Sequence, residues 1–250
     1  MFMKNMLLVL LMLLVTPACM AAQEWTRVGP PITAALDVDA QGLVVHAQVV
    51  GRDVLPQLPQ LQQLTEQTTQ HWRFVPATVD GKPAPARTYA LFHVQMQTVD
   101  GSQQLHLYYI WHGPGTISLQ SPAYPTEMQR QLVQATVVVA LDVNGDGSVS
   151  NVHVVTAKTS GGTRGSPFYK ASIDAVEKGK YLPELVDGRP VVTHMRVPFT
   201  FSLGNYDLSD LRHALDAPHD KAAKDSIDVT HFADVPVVLD SPLRLVSTSP

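Results

Sequence analysis

Thiol chemistry is nearly absent from this chain. Its one cysteine, Cys19, falls inside an N-terminal segment that reads as an export signal. Removing that segment leaves no disulfide, no thiolate metal ligand and no cysteine nucleophile. That pattern suits an oxidising compartment. Charge is scarce as well: 16% of the 250 residues are charged, with a net charge of −4. Nucleic acid requires a basic stripe that displaces counterions, so it is not an expected partner. No long block of like charge marks a lipid-binding face. Catalytic signatures are missing too. There is no Gly-x-Ser-x-Gly elbow, no His-Glu-x-x-His and no acidic pair at a telling spacing. Ser160-Gly-Gly-Thr-Arg-Gly165 is glycine-rich but lacks the Lys-Ser/Thr of a phosphate loop, so it reads as a flexible strand-to-helix connection.

The N-terminus has the layout of a secretory signal peptide over residues 1–22. Lys4 supplies the charge, Met6 to Val15 is an unbroken apolar run, and Ala21-Ala22 offers small residues for cleavage. The alternative is a short uncleaved anchor. Met6 to Ala22 just reaches the roughly 17–25 residues that span a bilayer, and Pro17 interrupts it. Lipidation of Cys19 fits least, because Thr16 stands three positions before it and Pro17 is poorly suited.

What is abundant is repetition. Leu36-Asp-Val-Asp-Ala-Gln-Gly-Leu-Val44 returns as Leu141-Asp-Val-Asn-Gly-Asp-Gly-Ser-Val149. Phe74-Val-Pro-Ala-Thr-Val-Asp-Gly-Lys-Pro83 returns as Tyr181-Leu-Pro-Glu-Leu-Val-Asp-Gly-Arg-Pro190. The offset is 105 positions from Leu36 to Leu141 and 107 from Pro76 to Pro183. A period this long predicts two copies of one small domain, not a solenoid of units of about 20–50 residues. The expected division is 23–112, a connector at 113–121, 122–204, and a loosely structured tail at 205–250.

Each copy reads as strand, strand, helix, strand. In the second, Val137, Val139, Leu141 and Val143 alternate on one face, and Asn144-Gly-Asp-Gly147 is a hairpin turn. The return strand carries an irregularity near Asn151. Ser166 is the expected N-cap and Pro167 the first helical residue, with Phe168, Ile173 and Val176 facing the sheet. A last strand covers Val191 to Leu203. In the first copy, strands are expected near Ile32–Val38 and Leu43–Val50, and a helix near Pro59–His71 with Leu58, Leu61 and Leu64 on one face. A strand follows from Arg87 to Val99, and an extra one over Leu105–Trp111. The fold class is α+β: two tandem ββαβ two-layer domains, a helix on an antiparallel sheet, the first with an added strand. In the tail, Leu208–Leu215 suggests a short helix, and Val235-Pro-Val-Val-Leu239 is suited to dock as an edge strand.

The second copy resembles the TonB C-terminal domain. The features that carry the resemblance are Tyr124-Pro125 at the entrance, Asp146-Gly147 in the hairpin, Tyr181-Leu-Pro183, Asp187-Gly-Arg-Pro190 and the closing Phe199-Thr-Phe201. The first copy looks like a divergent member, with Trp72-Arg-Phe74-Val-Pro76, Asp80-Gly-Lys-Pro83 and Phe92 but no Tyr-Pro entrance. The resemblance implies a periplasmic protein that grips partner proteins by strand pairing and couples inner-membrane energy to outer-membrane transporters. No Pro/Lys-rich spacer separates Ala22 from the first copy, so the binding half of that role carries over better than the coupling half.

Metal and catalytic alternatives are weaker. Asp142, Asn144, Asp146 and Gly147 begin like a calcium loop, but the twelfth position is His153 where a bidentate Glu is needed. His93, His106 and His112 have no zinc-ligand spacing. The expected function is therefore protein binding without a cofactor, by addition of an extended peptide from an envelope protein to the last strand. The candidate residues are Thr193, Met195, Val197 and Phe199 on one side of that strand, with Tyr124 and Pro125 near its start. Pro190 and Pro198 suit a sheet edge. The alternatives are a structural protein that self-associates, as a homodimer, through the same edges, and last a small envelope hydrolase.

Overall fold

The computed structural model describes residues 25–51, 58–99, 101–160, 165–203 and 237–248. The segment expected to be an export signal, most of the glycine-rich connection and the short helix expected at Leu208–Leu215 lie outside the described residues. The architecture is α+β, mostly strand with a few helices.

The first half runs β1 (Thr26–Arg27), β2 (Ile32–Val38), β3 (Val44–Val50), α1 (Leu58–Thr69), β4 (Arg73–Val75), β5 (Ala77–Val79), β6 (Lys82–Ala84), β7 (Ala86–Val99) and β8 (Ser102–Gly113). Antiparallel pairing places β2 between β3 and β7, and β8 on the far side of β7. The alternation Ile32, Ala34, Leu36, Val38 puts every second side chain into one core. Trp72 fills it, with ring centroids 5.6 Å from Phe92 and 5.0 Å from Tyr109. Helix α1 meets the core differently from the expected leucine stripe. Leu61 is buried, Leu64 only partly, and the face is completed by the fully buried Thr65 and Thr69. Each threonine hydroxyl donates to the carbonyl four residues back, at 2.7 and 2.9 Å, which removes the cost of burying it.

The second half runs β9 (Gly115–Ser118), α2 (Thr126–Arg130), β10 (Ala135–Val143), β11 (Val149–Thr159), α3 (Ser166–Glu177), β12 (Lys180–Leu182), β13 (Leu185–Val186), β14 (Arg189–Pro190), β15 (Thr193–Phe201), β16 (Val237–Val238) and β17 (Arg244–Ser247). Strand order in its main sheet is β11-β10-β15-β16. Asn151 takes φ +52° beside a register shift, the irregularity expected there. The cap of α3 is Gly165, not Ser166, and no side-chain cap bond forms. Its buried face is Phe168, Ser172, Ala175 and Val176, and Ile173 is only partly covered.

One glycine of the repeat has the same cause in both halves. Gly42 and Gly147 end their hairpins at φ +82° and +81°. A Cβ on Gly42 would lie 2.0 Å from the Phe74 carbonyl oxygen, and one on Gly147 would lie 2.6 Å from that of Tyr181. The backbone crossing from helix to last strand passes directly over each turn, so no side chain fits.

The halves exchange short strands. β13 pairs with β7, so the second half's turn extends the first half's sheet and buries Val186 in the first core. Residues expected to be plain connector include β9, which pairs with β12. The tail expected to be loosely structured forms two short strands between Val237 and Ser247, with Leu243 buried between them. β16 pairs with β15, as an edge strand was expected to, and β17 pairs with β4. Thus the segment following each half's last main strand lies on the other half's crossing segment. Leu243, between β16 and β17, is 2% exposed within the first core. Burying such a side chain contributes about 1.5–3 kcal/mol, enough to hold a tail whose own strands are short.

Candidate functional site

Strand β15 lies against β10 on one side, and its other side is the only edge of that sheet's described strands that the tail touches. His194 shows which main-chain groups face outward. Its N–H donates to Asp240 Oδ1 at 2.7 Å, and its carbonyl accepts from the Leu239 N–H at 2.9 Å. With a two-residue period, Arg196, Pro198 and Thr200 turn their main chain to the same outer side. Pro198 offers only a carbonyl there. Among the described residues, β16 covers this edge at Met195 and Arg196, and no strand pairs with it from Val197 to Phe201.

The sequence-predicted residues occupy the inner side of this strand. Thr193, Met195, Val197 and Phe199 are all buried, the last three within the second core. Their main-chain groups point to β10, so the groups presented outward belong to the even-numbered residues. Tyr124 lies at the other end of the strand from the one expected. Its ring centroid is 5.7 Å from Phe168 and 5.7 Å from Phe201, the last residue of β15, and its hydroxyl donates to the Val133 carbonyl. Pro125 caps the N-terminus of α2 in an extended conformation. Tyr124 therefore packs against the end of the second core.

Two polar constellations hold the strand's start. Glu184 is fully buried and receives Thr88 Oγ1 at 2.6 Å, Ser241 Oγ at 2.7 Å and Thr193 Oγ1 at 3.0 Å. These donors come from the first half, the tail and β15. Burial without a cation pushes the Glu184 carboxyl above its ordinary range, although the three hydroxyls pull it back. The second constellation centres on His194, whose Nδ1 faces Asp240 Oδ2 and whose Nε2 lies 3.4 Å from Asp142 Oδ1. The bond to Asp240 raises the His194 pKa. Both ring nitrogens face carboxylates, so neither is left to take a proton from a nucleophile.

His112 anchors the tail further on. Its Nε2 lies 3.1 Å from the Leu243 carbonyl and its Nδ1 2.7 Å from the Tyr109 hydroxyl. An N–H at Nε2 then donates to Leu243 while Nδ1 accepts from Tyr109, which is the neutral form, and burial lowers the His112 pKa accordingly.

The metal alternatives have other occupations. Asp146 Oδ1 accepts from the Ser148 amide and hydroxyl, Asn144 bonds Ser148 and Ser150, and Asp142 bonds Asn151. The His106 ring meets Trp25 in a tilted contact, centroids 5.3 Å apart, on the face shared with His93, whereas His112 pairs opposite Ala90 on the core face. A shallow groove of about 420 Å³ between β3 and α1, lined by His46, Gln48, Val49, Pro59 and Gln62, holds no carboxylate. Gln62 braces the edge of β3 there, accepting from the Val49 N–H and donating to the Ala47 carbonyl.

Sequence reasoning missed Glu184, His194, Asp240 and Ser241. For Glu184 a signal existed. It follows the proline of the repeated crossing segment, where the first half has Ala77, so the two copies differ at that position by a buried charge.

Residues 120–203 match the family model described as the Gram-negative bacterial TonB protein C-terminal. Protein TonB of Xanthomonas campestris pv. campestris strain B100 is 31% identical over 86 residues, 34% of this chain and 36% of the relative. The same protein of strain ATCC 33913 matches to the same extent. The chain thus spans about a third of the length of these curated relatives. A solution NMR structure of the Pseudomonas aeruginosa TonB C-terminal domain aligns at 18% identity and TM-score 0.31, covering 45% of this chain and 98% of that one. Residues 120–203 are a TonB C-terminal-like domain, a kind that is not enzymatic.

Proposed function

We propose that this is an exported periplasmic protein that binds an extended segment of an envelope partner by adding it as a strand to β15. Its place would be in TonB-type transport across the outer membrane. The observation that carries this reading is the outer side of β15, where no strand pairs with Val197 to Phe201 among the described residues. A strand edge with unmatched N–H and C=O groups is a template for another strand. On this reading Pro198 and Thr200 supply main-chain contacts, beyond the part of the edge that β16 covers. The buried Thr193, Met195, Val197 and Phe199 fix the strand that presents them, and Tyr124 and Pro125 hold its far end. No nucleic acid or cofactor enters the reading. The first half, 23–112, is a divergent second copy that supports the binding half, 122–204.

No helix among the described residues is long and apolar enough to cross a membrane. Mass spectrometry of the mature N-terminus distinguishes the routes: a start at Gln23 means a free periplasmic adaptor, an intact Met1 a membrane-held one.

Thr200→Pro tests the binding edge. It removes the outward N–H of Thr200 and leaves the β10 ladder in place. Capture of envelope proteins by the full chain should fall sharply. Undiminished capture overturns the assignment, and a stable dimer burying β15 in sedimentation replaces it with self-association.

A further inference from the structure

The edge proposed for a partner is already partly occupied by the chain itself. β16 is two residues long, yet it seats on Met195 and Arg196. Three features make this seat specific. Val238 lies opposite Met195, against a position kept empty by Gly113: a Cβ there would be 2.4 Å from Val238 Cγ2 and 2.9 Å from the Trp111 ring. Gly113 itself sits at φ +151°. Two residues after Val238, Asp240 takes both the amide and the ring Nδ1 of His194. Behind His194, Asp142 is held by Asn151. Beyond Asp240 the tail is tethered separately, by Ser241 on Glu184 and by Leu243 in the first core.

Resting on the strand-addition reading, we propose that β16 with Asp240 is an internal stand-in for the partner. The partner strand that displaces it runs antiparallel to β15, with an aliphatic residue opposite Met195 and a carboxylate two positions later for His194. Displacement is local, because the Ser241 and Leu243 tethers hold the rest of the tail. The incoming strand gains over the stand-in by continuing along Pro198 and Thr200, which β16 does not reach. The carboxylate carries selectivity. A charged hydrogen bond is stronger than a neutral one, and the pair forms only where a strand places an acid at this position.

The test uses the full chain and a labelled peptide with the sequence of residues 235–243, together with the same peptide bearing Asn in place of its Asp. Asp240→Asn should speed amide exchange at His194 and Arg196 and tighten binding of the acidic peptide by about tenfold. The Asn peptide should bind about tenfold more weakly than the acidic one, and His194→Ala should erase that difference. Val238→Thr is the second variant, loosening the seat from its apolar side. Equal binding of the two peptides to a folded chain overturns the stand-in while leaving strand addition intact. Faster exchange in either variant with no peptide bound overturns strand addition and the stand-in together. Unchanged exchange in both variants shows that the tail is a fixed part of the sheet, and that too overturns the proposal.

Discussion

β7 and β15 are matching strands of the two repeats, and they end in opposite circumstances. β7 is flanked on its outer side by the 12-residue β8, reached through the tight turn at Gly101. β15 is met by a two-residue strand that returns from the far end of the chain. Local closure makes the first edge a permanent seam, since a hairpin partner is never far away. On the proposed reading, distant and brief closure leaves the second edge exchangeable, so that the first half serves as scaffold and the second keeps a usable rim.

Several substitutions break or sharpen that contrast. The largest effect is expected from Gly42→Ala, which drives a Cβ into the Phe74 carbonyl at positive φ and should cost about 3 kcal/mol or more in thermal unfolding. Gly147→Ala meets Tyr181 less closely and should cost less, so a reversed order would break the equivalence of the two turns. Leu243→Ala should cost about 2–5 kcal/mol, and its effect should appear in the first core although the residue belongs to the tail. Proline scanning compares the edges directly. His93 matches Thr200 in the repeat, and its amide faces β8, since the Val94 carbonyl faces the other way toward Val28. His93→Pro should therefore cost about 2–4 kcal/mol of stability. Thr200→Pro should cost about 1 kcal/mol or less and act on binding instead.

The smallest effects are titrations. The folded state raises the Glu184 pKa, so its favourable contribution is full below the unfolded carboxyl pKa and is lost as pH rises through the folded value. Unfolding of Glu184→Gln should be flatter with pH across that acidic window. The two ends of the tail should respond in opposite senses. His194 is raised by Asp240, so the contact at β16 is full below the ordinary histidine pKa and weakens as pH rises through the folded value. His112 is lowered by burial, so the Leu243 end is firm above that ordinary value and weakens as pH falls. Amide exchange across 237–247 at two pH values checks this; parallel loosening of both ends contradicts it.

Much of this arrangement was legible in the residues. Alternating apolar side chains marked β2, β10 and β15, and the glycines at 42 and 147 marked their turns. The repeat itself led to the expectation that both halves are built alike. The inward side of β15 was legible too. An apolar set at Met195, Val197 and Phe199, on a sheet with one helix-covered face, belongs under the helix. A partner then meets the intervening residues. Tyr124 belongs to the entrance motif, but only packing puts it beside Phe201.

The chain's nearest neighbours determine what is periodic: strand alternation, the hairpins at Asp39–Gly42 and Asn144–Gly147, and helices that bury one face. Those choices depend on sterics and side-chain pattern within a few residues, so they can be read in order. The exchange of β9 and β17, the entry of β13 into the other sheet and the seating of Val238 and Asp240 on β15 were decided in three dimensions. Strands of two to four residues carry no period. They form only where an unmatched backbone edge and a buried site for Leu243, Val186 or Glu184 have already been brought alongside.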